Sequence, residues 1–372
     1  MTNIRQKDQT IWLDPDYPDA VRIIDQRLLP HNYAEMTVGN VETMAVAIKT
    51  MAVRGAGCIG VSAGFGMYLA ALETKGLGAS QADVRLKEAA ETLTATRPTA
   101  TNLSWAVDRQ LDGLLNIDDG SARIQTALGI AQDIMDEDIA SCHRIGEIGL
   151  RLIRELHEKL GRTVNILTHC NAGWLAFVKH GSATAPMYAA QRAGIPIHVF
   201  VGESRPRNQG ALTAWEMRNA GIDHTYLVDS AIGHVIQRGE VDIIFTGADR
   251  VSMSGDVANK IGTYLRALAA NENGVPFYVN FPSSTLDPYS FDGIGEIEIE
   301  ERDSDEVTHI RSEIDGKRVA APIVSAGTSA RNPAFDVTPH RLITGLITER
   351  GLCEATPEAV AASFPDYVVR GS

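Results

Sequence analysis

Apolar residues recur at three- and four-residue spacing from Val41 to about Arg97, and again from Ile124 to Leu160. That period predicts helices with one buried face. Asp136-Glu137-Asp138 interrupts the second stretch and predicts a break there. Upstream, TIWLDPDYPDAVRIIDQRLLPH (residues 10–31) sets short apolar runs around an Asp/Pro turn, which predicts two short strands. After Gly161 the rhythm changes. TVNILTH, IPIHVFV, TYLV, VDIIFTG and VPFYVNF are short, β-branched or aromatic runs, each followed by a polar loop and a helical stretch. Continuous apolar strands alternating with helices predict a parallel sheet covered on both faces. The end, DVTPHRLITGLITERG, carries Thr338 as an N-cap, Pro339 at the first helical position and Gly351 past the end, which predicts a closing helix. No Pro/Gly/Ser linker divides the chain, so the boundary is placed near a long helix. The expectation is a mainly helical N-terminal domain with a small sheet over 1–145, and an α/β domain over 146–372.

Length supports that division, since 372 residues are long for one core. The net charge of -13 and the lack of a Lys/Arg block argue against a nucleic-acid partner. The four cysteines, Cys58, Cys142, Cys170 and Cys353, have no C-x-x-C spacing, which disfavours a zinc site or a disulfide framework. Residues 1–10 have no signal-like apolar stretch, and no apolar run reads as a bilayer span. The expectation is a cytoplasmic protein with no membrane partner.

In open parallel sheets, ligands bind beyond the carboxyl ends of the strands. Those ends carry His169-Cys170-Asn171, then Glu203 to Gly210, Asp229-Ser230, Ala248-Asp249-Arg250 and Pro282 to Thr285. The loop Arg205 to Gly210 enters a helix, and helix N-termini favour anions; its arginines suit either a phosphate or surface carboxylates. Arg54 precedes Gly55-Ala56-Gly57 and a helical run, a second anion candidate or simple close packing. Arg97, before Pro98, is a third cation with a surface alternative. Cys170 reads as a small inert hydrophobe or as a thiolate at a strand end. Asp249 reads as a cap or as an acid held protonated in a dry pocket. His169 should point away from Cys170 and reads as structural. Asp256, Asn259 and Lys260 read as the polar first turn of a helix, with Asn259 and Lys260 open to a sugar or phosphate. No G-x-G-x-x-G follows the first α/β strand, so no NAD is expected.

RGAGCIG, TRPTATNLSWAV, LTHCNAG, ESRPRNQGALTAWEM, TGADRV, GDVANKIGTY, EERDSDEVTHI and NPAFDVTP together resemble the methylthioribose-1-phosphate isomerases, relatives of the regulatory subunits of the translation-initiation exchange factor. The resemblance runs from near Asp25 to the last apolar segment. It implies a Rossmann-like C-terminal domain, a homodimer, and a metal- and cofactor-free aldose–ketose isomerisation in methionine salvage. It implies that Cys170 and Asp249 are catalytic, and that Arg54, Gly55, Ala56, Arg97, Gln209, Asn259 and Lys260 bind the sugar phosphate. Ala56-Gly57-Cys58 stands where the family has Ala-Pro-Ala, and Ser204-Arg205-Pro206 where it has Thr-Arg-Pro. Ser254-Gly255-Asp256 replaces Asn-Gly-Asp, and the family's Ala-Pro-x-Ser-Thr appears as Asn280 to Thr285. Ribose-1,5-bisphosphate isomerases share the Arg-Gly-Ala-Gly form. The 5-substituent therefore stays open among methylthio, methyl and phosphate, and a non-catalytic sensing subunit stands as the alternative of another class.

Overall fold

The computed structural model describes residues 9–98 and 100–368. It divides into two compact units, one running to Arg144 and including Gly173–Gly181, the other holding Ile145–Ala172 and the chain from Ser182 onward.

The first unit opens with an antiparallel sheet of β1 (Ile11–Leu13), β2 (Val21–Ile24) and β3 (Glu35–Val38), one strand more than the apolar runs predicted. Helices α1 (Val41–Lys49), α2 (Ala56–Glu73), α3 (Ala79–Thr94) and α4 (Thr101–Leu114) follow. Asn40 caps α1 by accepting the Thr43 N–H at 2.8 Å. Helix α2 is the centre of this unit. It is 18 residues long and, by length and composition, apolar enough to cross a bilayer, which corrects the expectation that no run is. Its residues from Gly57 to Ala71 are all buried, so its apolarity is spent on the core. Helix α5 (Gly120–Leu160) is unbroken, against the predicted interruption at 136–138. Glu137 lies on its outer face paired with Arg109, and Asp138 turns inward to accept the Val178 N–H at 2.9 Å. Asp136 is exposed, so none of the three interrupts the helical hydrogen bonds.

The second unit carries a seven-stranded sheet. We label β4 (Val164–Thr168), β5 (Ile197–Gly202), β6 (His224–Leu227), β7 (Ile243–Thr246), β8 (Arg250–Ser252), β9 (Val257–Lys260), β10 (Phe277–Asn280), β11 (Leu286–Asp287), β12 (His309–Ile314), β13 (Lys317–Pro322), β14 (Phe335–Thr338), β15 (Gly345–Thr348) and β16 (Gly351–Cys353). The large sheet has the order β16-β15-β10-β7-β4-β5-β6 and is parallel except for β16. All five predicted α/β strands are in it. Helices α6 (Ala185–Arg192), α7 (Gly210–Asn219), α8 (Ile232–Gln237) and α9 (Thr263–Glu272) connect them, so strands buried on both faces read as continuous apolar runs. Two apolar clusters, one around Leu167, Ile244 and Phe277 and one around Ile166, Val199 and Phe245, pack this sheet.

Two sequence readings fail here for one reason. Asp256, Asn259 and Lys260 do not open a helix: residues 257–260 form β9, between β8 and β14 in a second sheet of order β11-β8-β9-β14. The closing helix is absent too. Residues 335–338 are β14, Pro339 begins a short 3-10 turn, and residues 345–348 enter the large sheet beside β10. Pairing such as Asn259 with Asp336 joins positions far apart in the chain, and that burial overrides the local capping signal.

Candidate active site

Cys170 leaves β4 in the left-handed conformation, with φ +61, is half-buried and is not in a disulfide. A non-glycine residue holds that conformation only when its surroundings fix it. Its N–H donates to Ser204 Oγ at 2.7 Å, and its carbonyl accepts the Thr213 hydroxyl at 2.8 Å. His169 lies beneath, fully buried. Its Nε2 faces the carbonyls of Ile261 (3.0 Å) and Lys260 (3.3 Å), and its Nδ1 lies 2.9 Å from Ser204 Oγ. Burial, aided by the charge of Arg266, pushes the imidazole well below its usual 6.5. The ring is therefore neutral, its single proton sits on Nε2 between the two carbonyls, and Nδ1 accepts from Ser204. His169 is structural, as its alternation with Cys170 predicts, yet the structure it supports is the Cys170 turn.

Asp249 follows β7 through Gly247 and Ala248. A side chain at Gly247 would meet Ala172 Cβ at 2.6 Å, so this loop packs directly on the turn after Cys170. The Asp249 N–H bonds the Ala258 carbonyl at 2.9 Å, which ties the acid to β9. From β9, Asn259 and Lys260 are both buried. Asn259 Nδ2 donates to Thr263 Oγ1 at 3.1 Å, and Lys260 Nζ donates to the Ala334 carbonyl at 2.7 Å. Burial pushes the Lys260 ammonium below its usual 10.5, while the charges of Cys170 and Asp249 pull it back up. One buried amine is thus in electrostatic reach of both the thiol and the carboxylate.

Gln209 is the residue immediately before α7. Its Oε1 is buried and has no hydrogen-bond partner among the described residues. Arg205 and Arg207 in the same loop take the protein-pairing alternative: Arg205 donates to the Val307 carbonyl at 2.9 Å, and Arg207 pairs with Glu306 at 2.6 Å. The loop turns over Asp229, which accepts the N–H groups of Ser204 and Arg205 at 2.9 and 2.8 Å and pairs with buried Arg266 at 2.5 Å. In the second unit, then, Cys170, Gln209, Asp249, Asn259 and Lys260 all stand at or just beyond the carboxyl edges of its strands.

In the first unit, Arg54, Gly55 and Ala56 form the entry to α2. Gly55 has φ +89, and a side chain there would meet Ala176 Cβ at 2.3 Å. Arg97 precedes α4, and its carbonyl accepts the Ala100 N–H at 3.0 Å. The neighbouring thiol of Cys58 is buried and pushed up to about 12, chiefly by that burial, so it does not supply a thiolate. Among the described residues no group of three or more His, Cys, Asp or Glu is placed to hold a metal ion. Ser204, Thr213, Asp229 and Glu216 support the Cys170 turn and the loop before α7. Ser204 and Asp229 were visible as strand-end polar residues, whereas Thr213 and Glu216 sit inside a helix where spacing carries no such signal.

The model of the initiation factor 2 subunit family matches residues 52–355. A methylthioribose-1-phosphate isomerase of Methylorubrum extorquens is 50% identical over 360 residues, covering 96% of each chain. Among solved structures, 5-methylthioribose 1-phosphate isomerase from Pyrococcus horikoshii is 36% identical with a TM-score of 0.84, covering 97% of each chain. The delta subunit of translation initiation factor eIF-2B from A. fulgidus is 35% identical with a TM-score of 0.79, covering 96% of this chain and 100% of that one. The chain belongs to the initiation factor 2 subunit family and, within it, to the methylthioribose-1-phosphate isomerases, a group of aldose–ketose isomerases.

Proposed function

We propose that this protein converts 5-methylthioribose 1-phosphate to 5-methylthioribulose 1-phosphate in methionine salvage, with Cys170 and Asp249 as the reacting pair. The observation that carries this reading is that Cys170 and Asp249 follow β4 and β7, which pair in parallel as neighbours in the large sheet, at the carboxyl ends where such sheets bind ligands. Gln209, with a buried unpartnered oxygen, suits a sugar hydroxyl. Asn259 and Lys260 suit the sugar or phosphate oxygens, and Arg54, Gly55, Ala56 and Arg97 are assigned to the phosphate by the family resemblance.

The anomeric phosphate locks the sugar ring, so opening requires a proton on the ring oxygen, and Asp249 supplies it. Carbon two then loses hydrogen and carbon one gains it. In the proton route the Cys170 thiolate takes the proton from carbon two, the electron pair forms an enol with carbon one, and reprotonation at carbon one gives the ketose. In the hydride route the hydrogen moves with its electron pair to carbon one, and Cys170 shapes a dry pocket around it. In both routes the carbon-two hydroxyl gives its proton to the Asp249 carboxylate as the ketone forms, which restores the acid. The departures at Gly57-Cys58 and Ser204 keep ribose 1,5-bisphosphate and 5-deoxyribose 1-phosphate as competing substrates. Likeness to the eIF-2B delta subunit sustains a second reading, a non-catalytic subunit that senses a sugar phosphate or nucleotide. A homodimer in a reducing cytoplasm completes the proposal. The four cysteines outside disulfides support that compartment, and light scattering tests the dimer.

The deciding experiment offers the purified protein the three sugar phosphates side by side in a coupled ketose assay. Turnover of the methylthio substrate ahead of the other two is the expected result. Preference for another substrate overturns the assignment of the 5-substituent. Silence on all three, with the protein folded, overturns the isomerase reading and favours the sensing one.

A further inference from the structure

We propose that Ser204 and Thr213 are positioning residues for Cys170, a pair of buried hydroxyls that hold its peptide group from both ends and so aim its thiol. The inference rests on the reading of Cys170 as a reacting group, but it is carried by a separate set of hydrogen bonds.

The first arm begins at the backbone just after β9. The carbonyl of Ile261 receives the His169 Nε2 proton at 3.0 Å, His169 Nδ1 receives the Ser204 hydroxyl at 2.9 Å, and Ser204 Oγ receives the Cys170 N–H at 2.7 Å. The alternative acceptor for Ser204, the Gly202 carbonyl, is farther at 3.3 Å. The second arm begins inside α6 and α7. Tyr188 donates its hydroxyl to Glu216 Oε2 at 2.7 Å, and Glu216 Oε1 receives Asn171 Nδ2 at 2.9 Å. The same Nδ2 donates to Thr213 Oγ1 at 3.1 Å, and Thr213 gives its own proton to the Cys170 carbonyl at 2.8 Å. Every donor and acceptor along both arms has one consistent role, and Ser204, His169, Thr213, Asn171 and Glu216 are all buried.

Cys170 needs this. Its left-handed backbone relaxes toward the ordinary regions unless both peptide groups are held. Water cannot replace the lost hydroxyls cheaply at buried positions, so removing either one frees the turn instead of rehydrating it. A thiol misplaced by about 1 Å loses much of its rate while the distant contacts that bind substrate stay intact. The clamp should therefore appear in kcat and not in KM.

The test compares wild type with Ser204→Ala, Ser204→Thr, Thr213→Val and Thr213→Ser. It reads kcat, KM and the rate at which iodoacetamide alkylates Cys170, located by peptide mass spectrometry. Ser204→Ala and Thr213→Val are expected to lower kcat by roughly 10- to 100-fold, with KM within about threefold of wild type. Ser204→Thr and Thr213→Ser, which keep the hydroxyls, retain most of the rate. Cys170 alkylation shifts in the Ala and Val variants alone, and Cys58 stays unmodified as a check on folding. Unchanged kcat in Ser204→Ala and Thr213→Val overturns the proposal, as does Ser204→Thr failing as badly as Ser204→Ala. If wild type turns over none of the sugar phosphates, the isomerase reading falls by itself. Alkylation then judges the clamp, and equal rates in wild type, Ser204→Ala and Thr213→Val overturn it.

Discussion

The guanidinium of Arg207 meets the carboxylate of Glu306 at 2.6 Å, and this pair fastens the loop before α7 to the segment ahead of β12. Arg302 and Asn332 also donate to Glu306. Burial pushes this carboxyl up, but the Arg302 hydrogen bonds and the charges of Arg207 and Arg302 outweigh it and hold the group at about 2. Arg207 is instead pushed down, chiefly by its burial, with the charge of Arg302 adding to it and Glu306 pulling the other way. A carboxyl depressed in the folded state contributes stability above its unfolded value near 4.5, and that stability is lost as pH falls toward 2. Glu306→Ala strands Arg207 without its carboxylate and should cost roughly 3 kcal/mol at pH 7. The gap between the variant and wild type should close as pH falls below 4, as urea melts at several pH values would show. A gap independent of pH would contradict the ionised pair. The same variant should raise KM, because Gln209 rides on this loop.

Removing the proposed reacting groups, Cys170 and Asp249, should act on rate and not on folding. Cys170 and Asp249 are only half-buried, so Cys170→Ala and Asp249→Asn should melt within a few degrees of wild type. Their kcat should fall by about 100- to 10,000-fold. Turnover in deuterated water then tests the hydride route: deuterium at carbon one of the ketose counts against a hydride shift. Near-normal turnover in either variant would remove that residue from the reaction.

Much of this architecture is readable along the chain because burial on both faces leaves a continuous apolar run. Val164–Thr168, Ile197–Gly202 and Ile243–Thr246 could be placed from that pattern alone. The turn after each strand could then be searched for chemistry. Reading failed where a strand owes its existence to a distant partner. Val257–Lys260 looks locally like a capped helix start, and becomes a strand because Phe335–Thr338 lies beside it. Asp136-Glu137-Asp138 looked like an interruption because a linear pattern does not show that Asp138 has an amide waiting at Val178. For the same reason Cys170 and Asp249 were visible as candidates, whereas Thr213, inside an ordinary helical stretch, was not.

Gly55 is the position in the first unit where a single methyl should be least tolerated. Its φ of +89 is outside the range of side-chain-bearing residues, and a Cβ would lie 2.3 Å from Ala176 Cβ and 2.4 Å from Ala176 Cα. Backbone atoms do not yield as a flexible side chain does. Gly55→Ala should therefore lower stability by roughly 2–4 kcal/mol and displace Arg54 at the entry to α2. Thermal melts and KM for the sugar phosphate check both effects. A variant as stable as wild type would show that this turn is more yielding than its packing indicates.

Asp138 supplies a pH signature of the opposite sign to Glu306. Burial pushes its carboxyl up to about 7, and the Val178 N–H offsets only part of that. Between pH 3.8, its ordinary value, and pH 7 the folded protein holds one proton more than the unfolded chain at this site. Stability therefore falls as pH rises through this window, by at most about 1.4 kcal/mol per pH unit, and stays level above it. Asp138→Asn keeps an oxygen for the Val178 N–H and removes the charge. It should match wild type near pH 4 and exceed it progressively up to pH 7, with a constant advantage beyond. Paired denaturant melts of the two proteins from pH 4 to 9 isolate this group, because every other titration cancels in the difference. A difference that is flat with pH would mean that Asp138 is ionised throughout, with a compensating charge beside it.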